Sequence, residues 1–228
     1  MRRLEKYLVE CGAGTRKEIK IAVADGRVSV NGVTVLDERI DVFPESDLIT
    51  LDGKTLQYKE MRYYIMYKVA GYITAMKDER KATVADLLPE WVEKKALFPV
   101  GRLDKDTEGM LLFTNDGDLC YEMTHPDKKF KKTYYAELDR EITEEDLDRL
   151  REGVIIDSYK CLPAEVEKIE SKKIYLTITE GKYHQVKKML KAVKNKVIYL
   201  KRIKFGNLEL GDMIPGEVRE IIKQDIQN

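Results

Sequence analysis

Residues that could carry chemistry gather in three places along the chain. The first is Gly101-Arg102-Leu103-Asp104-Lys105-Asp106-Thr107-Glu108-Gly109, which lies between the apolar runs 96–100 and 110–114. That pattern predicts a polar loop between buried strands, held by glycine at both ends. Packing alone gives no reason for so rigid a mount to carry an arginine, three acids and a threonine. A fixed carboxylate beside a basic residue suits nucleophilic or acid–base chemistry. On these residues alone, Asp104, Asp106 and Glu108 compete for the role. The second place is Lys132-Thr133-Tyr134, and the third is Glu180-Gly181-Lys182-Tyr183-His184-Gln185-Val186-Lys187-Lys188-Met189. The two histidines, His125 and His184, stand 59 positions apart with no ligand-spaced partner. Cys11, Cys120 and Cys161 lack zinc-site spacing, so no metal or other cofactor is expected.

These places need elements to hold them. Strand patterns cover 62–68 and 71–74, and a short helix at 83–88 is closed by Pro89. A helix is predicted at 117–124, a strand at 133–138, and a helix at 143–152 capped by Thr143. Strand-like segments follow at 164–169 and 173–179. A basic helix over 183–193 puts Val186, Leu190 and Val193 on one side. Strands at 197–199 and 203–210 complete the chain. Strands outnumber helices without alternating with them, which predicts an α+β fold with a mixed, largely antiparallel sheet. On the basic helix Lys188 faces about 100° away from Lys187. Met189 and Leu190 are read as core, and Trp91 as packing near a helix end.

Composition narrows the class. The 228 residues suffice for one large domain or a small one plus a medium one, and 43% hydrophobic content is ordinary for a soluble globular protein. No window approaches 18 uninterrupted apolar residues, so no membrane span is expected. The start of the chain acquires acids and lysines too early for an export signal. Three scattered cysteines then fit reduced thiols in a cytoplasm. The 41 basic and 41 acidic residues cancel, but they are segregated. Residues 181–204, which include Arg202, hold nine Lys or Arg and no acid, whereas 137–152 hold eight acids. A neutral chain so divided can present a basic face to a polyanion.

Residues 1–60 read as a separate module. Leu4, Tyr7, Leu8 and Cys11 recur at helical spacing before Gly12-Ala13-Gly14, and Thr15 with Glu18 forms a capping-box pattern ahead of a second helix. That helix turns Ile19, Ala22 and Val23 inward. Val28-Ser29-Val30-Asn31-Gly32-Val33-Thr34-Val35 is a hairpin signal, and a short strand at 47–53 closes the unit. Arg2, Arg3, Lys6, Arg16, Lys17, Lys20 and Arg27 stand against four acids within 30 residues. In order of motifs the module resembles the S4 RNA-binding domain, which implies that Arg3, Lys6, Arg16, Lys17, Lys20 and Arg27 contact RNA phosphates. A polar linker is expected at 57–60, followed by a second domain over 61–228.

The second domain carries a more specific resemblance. Gly101-Arg102-Leu103-Asp104, with Thr107, Gly109, Leu111-Leu112 and Thr114-Asn115-Asp116-Gly117, is similar to the catalytic motif of pseudouridine synthases. The segment 180–189 is similar to a later motif of the same enzymes. Lys132-Thr133-Tyr134 and the front module look most like the RsuA branch, which modifies small-subunit (16S) ribosomal RNA. The resemblance spans essentially the whole chain. It implies isomerisation of uridine to pseudouridine, with Asp104 as nucleophile, Tyr134 stacked on the extruded base and Lys187 paired to the nucleophile. It also implies RNA contacts from Arg102, Lys182, His184, Gln185, Lys188 and Arg202. Attack at C1′, attack at C6 and formation of a glycal all stay open. A large-subunit (23S) target and a non-catalytic ribosome-assembly factor are the alternatives. The expected partner is ribosomal RNA or an assembly intermediate, with the protein a monomer. Where related enzymes carry Asn-Lys-Pro-x-Gly, this chain has Tyr67-Lys68-Val69-Ala70-Gly71, a less rigid turn.

Overall fold

The computed structural model describes residues 1–44, 46–56 and 61–227; the expected linker at 57–60 lies outside the described residues. The chain forms two compact units, one of Met1–Met61 with Glu93–Leu97, the other of Arg62–Val92 with Phe98–Asn228.

The first unit packs two short helices, Leu4–Glu10 and Arg16–Ala24, against small strands. Thr15 and Glu18 form the reciprocal capping box their spacing predicts. Leu4, Tyr7, Leu8, Ile19 and Val23 meet Val28, Val42 and Ile49 in one core. The hairpin joining Val28–Val30 to Val33–Thr34 turns on Asn31 and Gly32, both at positive φ (52° and 80°), as a two-residue turn of this hand demands.

The second unit is built on a nine-stranded sheet. Its strands are β1 (Tyr63–Lys68), β2 (Phe98–Val100), β3 (Glu108–Thr114), β4 (Lys132–Leu138), β5 (Glu165–Glu170), β6 (Lys173–Ile178), β7 (Val197–Phe205), β8 (Leu208–Glu209) and β9 (Val218–Ile221). The order is β5-β6-β4-β7-β3-β1-β9, with β8 on β7 and β2 on β3. All pairings are antiparallel except β7 with β3, where Lys201 and Arg202 lie beside Glu108 and Gly109. The fold is thus α+β with a mixed, largely antiparallel sheet, as expected. Residues of β1 are buried on both faces, and Met110, Leu111, Leu112 and Phe113 of β3 are wholly buried. Helices α1 (Gly117–Thr124), α2 (Glu144–Glu152) and α3 (Gln185–Ala192) accompany the sheet. Helix α2 starts at a Thr143–Asp146 capping box and runs from three acids in its first turn to Arg149 and Arg151 in its last, matching its dipole.

Three local expectations change. Residues 71–74 form only an isolated bridge, Ile73 to Thr83, and Thr74 turns its hydroxyl to the backbone of Leu103. The basic helix starts at Gln185, because His184 takes the left-handed conformation (φ 53°, ψ 34°). The two short strands expected at 197–199 and 203–210 are one long strand, β7, and a brief β8; Leu200, Arg202 and Phe205 point inward through a stretch whose lysines read as a break. Trp91, shortly after the short helix Val84–Leu87, packs edge-on against Tyr64 while more than half exposed.

Candidate active site

The seam between β3 and β7 is where the chemistry-bearing residues converge. Gly101, at positive φ (72°), leads from β2 into a loop that re-enters the sheet at Glu108. The loop is fastened from beneath by Lys68 at the end of β1. Its ammonium, wholly buried, donates to the carbonyl oxygens of Asp104 (3.1 Å), Lys105 (3.3 Å), Thr107 (2.8 Å) and Val69 (3.1 Å). Thr74 adds a two-way clasp: its hydroxyl donates to Leu103 O (2.7 Å) and accepts from Leu103 N (3.0 Å). The backbone N–H of Gly71 donates to Lys105 O (2.8 Å). The loop is rigid because its carbonyls have partners, not because its own sequence is stiff.

Asp104 is presented at the top of this mount. Lys187 of α3 donates to its Oδ2 at 2.9 Å and to Asp106 Oδ1 at 2.5 Å, while His184 Nε2 lies 3.5 Å from Asp104 Oδ1. Burial alone would lower the Lys187 pKa, but the hydrogen bonds and charges of Asp106 and Asp104 outweigh it and hold it above the ordinary lysine value. Burial would likewise raise Asp106, yet the Lys187 hydrogen bond and charge hold it below the ordinary carboxylate value. The two acids differ in placement. The Asp104 side chain is 25% exposed and lines a cleft of about 440 Å³, whereas that of Asp106 is 74% exposed and does not line it.

The cleft is walled by Arg102 and Asp104 from the loop, Lys132 and Tyr134 from β4, Leu200 and Arg202 from β7, and the turn from Gly181 into Lys187. Of the residues singled out by sequence, it gathers Asp104, Tyr134, Lys187, Arg102, Lys182, His184, Gln185 and Arg202. Arg102 and Lys182 are exposed there, as an RNA contact requires. Lys188 lies outside the cleft, in an ion pair with Asp157 and over the ring of Tyr183.

Two assignments change at the cleft. Gln185 is buried and spends its side chain internally: its Oε1 accepts from Lys182 N (2.9 Å) and its Nε2 donates to Glu180 Oε2 (3.0 Å), so it shapes the turn instead of gripping phosphate. Arg202 is 1% exposed, which rules out a surface phosphate contact. Its alternation with Leu200 along β7 turns it inward.

In the first unit Arg16, Lys17 and Lys20 are exposed on the second helix. Arg16 lies 3.7 Å from Glu5, and Lys20 lies 4.0 Å from Glu38. Arg3 donates to Arg39 O and Lys6 is partly buried. Arg27 is committed to a two-pronged contact with Asp52, at 2.8 and 2.5 Å.

Sequence reasoning passed over Lys68, Asp106 as the second partner of Lys187, and Glu180, which accepts from Tyr159 OH, Leu162 N and Gln185. A lysine closing a strand that is otherwise Tyr, Ile and Met was a usable signal for Lys68. Burial lowers its pKa to about 8, against the opposing charges of Glu108, Asp106 and Asp104. Its folded pKa therefore lies below an unfolded value near 10.4. The unfolded chain binds more protons between about pH 8 and 10.4, so this group's contribution to global stability rises with pH across that window. The loop, meanwhile, loses one donor as the ammonium deprotonates. Turnover should fall through an apparent pKa near 8 with no drop in melting temperature, measured side by side. Lys68→Met should lower turnover by about 100-fold at neutral pH, the scale of a 1 Å misplacement. Parental turnover in that variant would show that the loop does not depend on the ammonium.

Known proteins match the chain along its length. A family model described as RNA pseudouridylate synthase matches residues 62–192. An uncharacterized RNA pseudouridine synthase of Bacillus subtilis (strain 168) is 44% identical, over 98% of this chain and 96% of its own. Ribosomal small subunit pseudouridine synthase A of Escherichia coli (strain K12) is 35% identical over 98% of each chain. Ribosomal large subunit pseudouridine synthase B of Bacillus subtilis (strain 168) is 32% identical over all of this chain and 95% of its own. A crystal structure of a pseudouridylate synthase, 29% identical, superposes with a TM-score of 0.71 over 100% of this chain and 99% of that one.

Proposed function

The chain belongs to the RNA pseudouridylate synthase family and is a pseudouridine synthase acting on RNA; we propose that it isomerises one uridine of ribosomal RNA, in the small subunit, with Asp104 as the nucleophile. The observation that carries this reading is Asp104 itself: a carboxylate on a fastened loop, lining a cleft and bonded to Lys187 at 2.9 Å. The isomerisation breaks the N1–C1′ bond, turns the base and joins C5 to C1′, with loss of the C5 proton. Lys187 fixes the rotamer of the carboxylate and stands as its counter-charge when RNA closes the cleft. Tyr134, mostly buried on the cleft wall, offers a ring face to the extruded base, a contact of roughly 1–3 kcal/mol by analogy with single-strand platforms. Arg102, exposed at the rim, contacts RNA or fills the space the base vacates.

The first unit serves as an S4-type RNA-docking module. Its helix–turn–helix order, capping box and hairpin support this, as do the exposed Arg16, Lys17 and Lys20. Flipping a base costs a few kcal/mol, which phosphate contacts made elsewhere offset. Replacing Arg16, Lys17 and Lys20 together with alanine should weaken RNA binding, reducing the slope of log K against log salt by about one per lost contact. Turnover at saturating RNA should stay at the parental value. An unchanged salt slope would remove the module from docking.

The small-subunit assignment draws on the resemblance to the RsuA branch and on the similarity to the small-subunit relative. Pseudouridine mapping of both ribosomal RNAs, with and without the gene, tests it. One site lost from small-subunit RNA is the expected result; a large-subunit site would replace the assignment.

A further inference from the structure

Arg202 is the largest wholly buried side chain among the described residues, and one of its donors is unused. Its Nε donates to Met110 O at 2.9 Å and its guanidinium lies 4.6 Å from the centroid of the Phe205 ring. Its Nη2 is shielded from solvent and has no hydrogen-bond partner. Leaving such a donor unmade costs about 1–3 kcal/mol, and more for a charged group, so it calls for an explanation outside the fold. Arg202 lines the cleft and sits opposite Tyr134 in the β4–β7 register. The Thr107 hydroxyl, also buried and without a partner, lines the same cleft. Lys132 adds a second cation there, 5.5 Å from the same Phe205 ring. Neither Arg202 nor Lys132 forms an ion pair among the described residues. Lys132 spends a donor on Phe130 O (2.9 Å) and the Arg202 guanidinium is also drawn to the Tyr134 hydroxyl, so the cleft floor is cationic and Arg202 Nη2 is the donor left over.

The reaction supplies an acceptor. When the C1′–N1 bond breaks, its electron pair stays with the base and spreads onto O2 and O4. The sugar C1′ meanwhile either bonds to a carboxylate oxygen of Asp104, a bond that breaks again when C5 attacks C1′, or joins C2′ in a glycal as the C2′ proton passes to the Asp104 carboxylate, which returns it to C2′ when C5 bonds to C1′. Attack of Asp104 on C6 instead pushes the ring electrons through C5 and C4 onto O4; the N1–C1′ bond then breaks, and the C6–oxygen bond breaks again as the product forms. In each route C5 then bonds to C1′ and its proton leaves to a base. Negative charge reaches O4 in every case.

We propose that Arg202 Nη2 donates to O4 of the flipped uracil, carries the charge that develops there, and selects uracil over cytosine. Cytosine places an amino group where O4 stands and would turn hydrogens towards the guanidinium, leaving two donors opposed. The inference rests on the cleft being the uridine site, and it goes beyond that reading by naming the group that recognises the base.

The test uses the full chain and the RNA whose site the mapping identifies. Arg202→Met should slow single-turnover pseudouridine formation by about 100-fold or more, the scale of removing one oxyanion donor. RNA affinity should change by less than about 3-fold, because phosphate contacts dominate binding. Arg202→Lys, which keeps a charge, should recover at least about 10-fold of that loss, consistent with charge stabilisation of this size. A folded Arg202→Met variant with near-parental rate, or one that loses only affinity, overturns the proposal. Should the variant not fold, a crystal structure of Asp104→Asn bound to the same RNA decides. Nη2 within hydrogen-bond distance of O4 supports the proposal, and Nη2 with no base contact overturns it. Parental protein that makes no pseudouridine would instead overturn the underlying reading, so the two failures are distinct.

Discussion

Asp104→Asn should abolish pseudouridine formation while leaving the protein folded and bound to RNA. Removal of a covalent nucleophile acts on the scale of about 10⁶-fold in other enzymes, so a loss of at least about 10⁴-fold is expected here. The substitution is close to isosteric and the backbone bonds of the loop are untouched: Lys68 binds the carbonyl of Asp104, not its carboxylate. Lys187 is not orphaned either, because Asp106 remains its partner at 2.5 Å. The lost ion pair is partly exposed and should cost no more than about 1 kcal/mol. Asp106→Asn is the natural control. It removes a carboxylate from the same lysine but from outside the cleft, so turnover should fall by about 10-fold at most, through a looser Lys187. Quantifying pseudouridine by mass spectrometry of digested RNA reads both. If Asp104→Asn works at the parental rate and Asp106→Asn does not, the nucleophile has been assigned to the wrong acid.

The loop was legible because its signals are local. Two glycines, two apolar flanks and a dense polar interior are close neighbours in the chain, and the resemblance then singled out one acid of three. The same holds for the capping boxes at Thr15 and Thr143 and for the Asn31-Gly32 turn, where the residue type answers a backbone requirement next door. What escaped is long-range. Lys68 bonds carbonyls 36 to 39 positions away, and no periodicity in β1 announces that. The resemblance assigns Gln185 and Arg202 to RNA, and nothing in an acid-free basic stretch marks either as buried. Burial of Arg202 follows from which face β7 turns to β3, a property of sheet order that the local pattern does not contain. The helix beginning at Gln185 was missed by two residues because His184 adopts a left-handed conformation uncommon outside glycine.

Gly109→Ala should be among the most damaging single-methyl changes in the molecule. Gly109 opens onto the parallel contact between β3 and β7, where its partner is Arg202. A Cβ built there would stand 2.2 Å from Arg202 O and 2.7 Å from Arg202 N. Both are backbone atoms of a strand hydrogen-bonded on its other side to β4, so neither can swing away as a side-chain end would. Its φ of +100° adds a conformation that L-residues resist. Relief requires β3 and β7 to separate, which moves the Asp104 loop away from Arg202 and the cleft floor. We expect a loss of about 4 kcal/mol or more, in the range reserved for severe core clashes, and turnover down by about 100-fold in whatever remains folded. Gly71 supplies the comparison. It has the same φ of +100°, but an added methyl group would meet nothing within 4 Å, so Gly71→Ala carries the backbone cost alone, about 1–2 kcal/mol. Chemical denaturation of both variants separates conformation from contact, since the φ is shared and the clash is not. Equal destabilisation of the two would mean that the seam yields freely, and the placement of Arg202 against the cleft would then lose its main structural support.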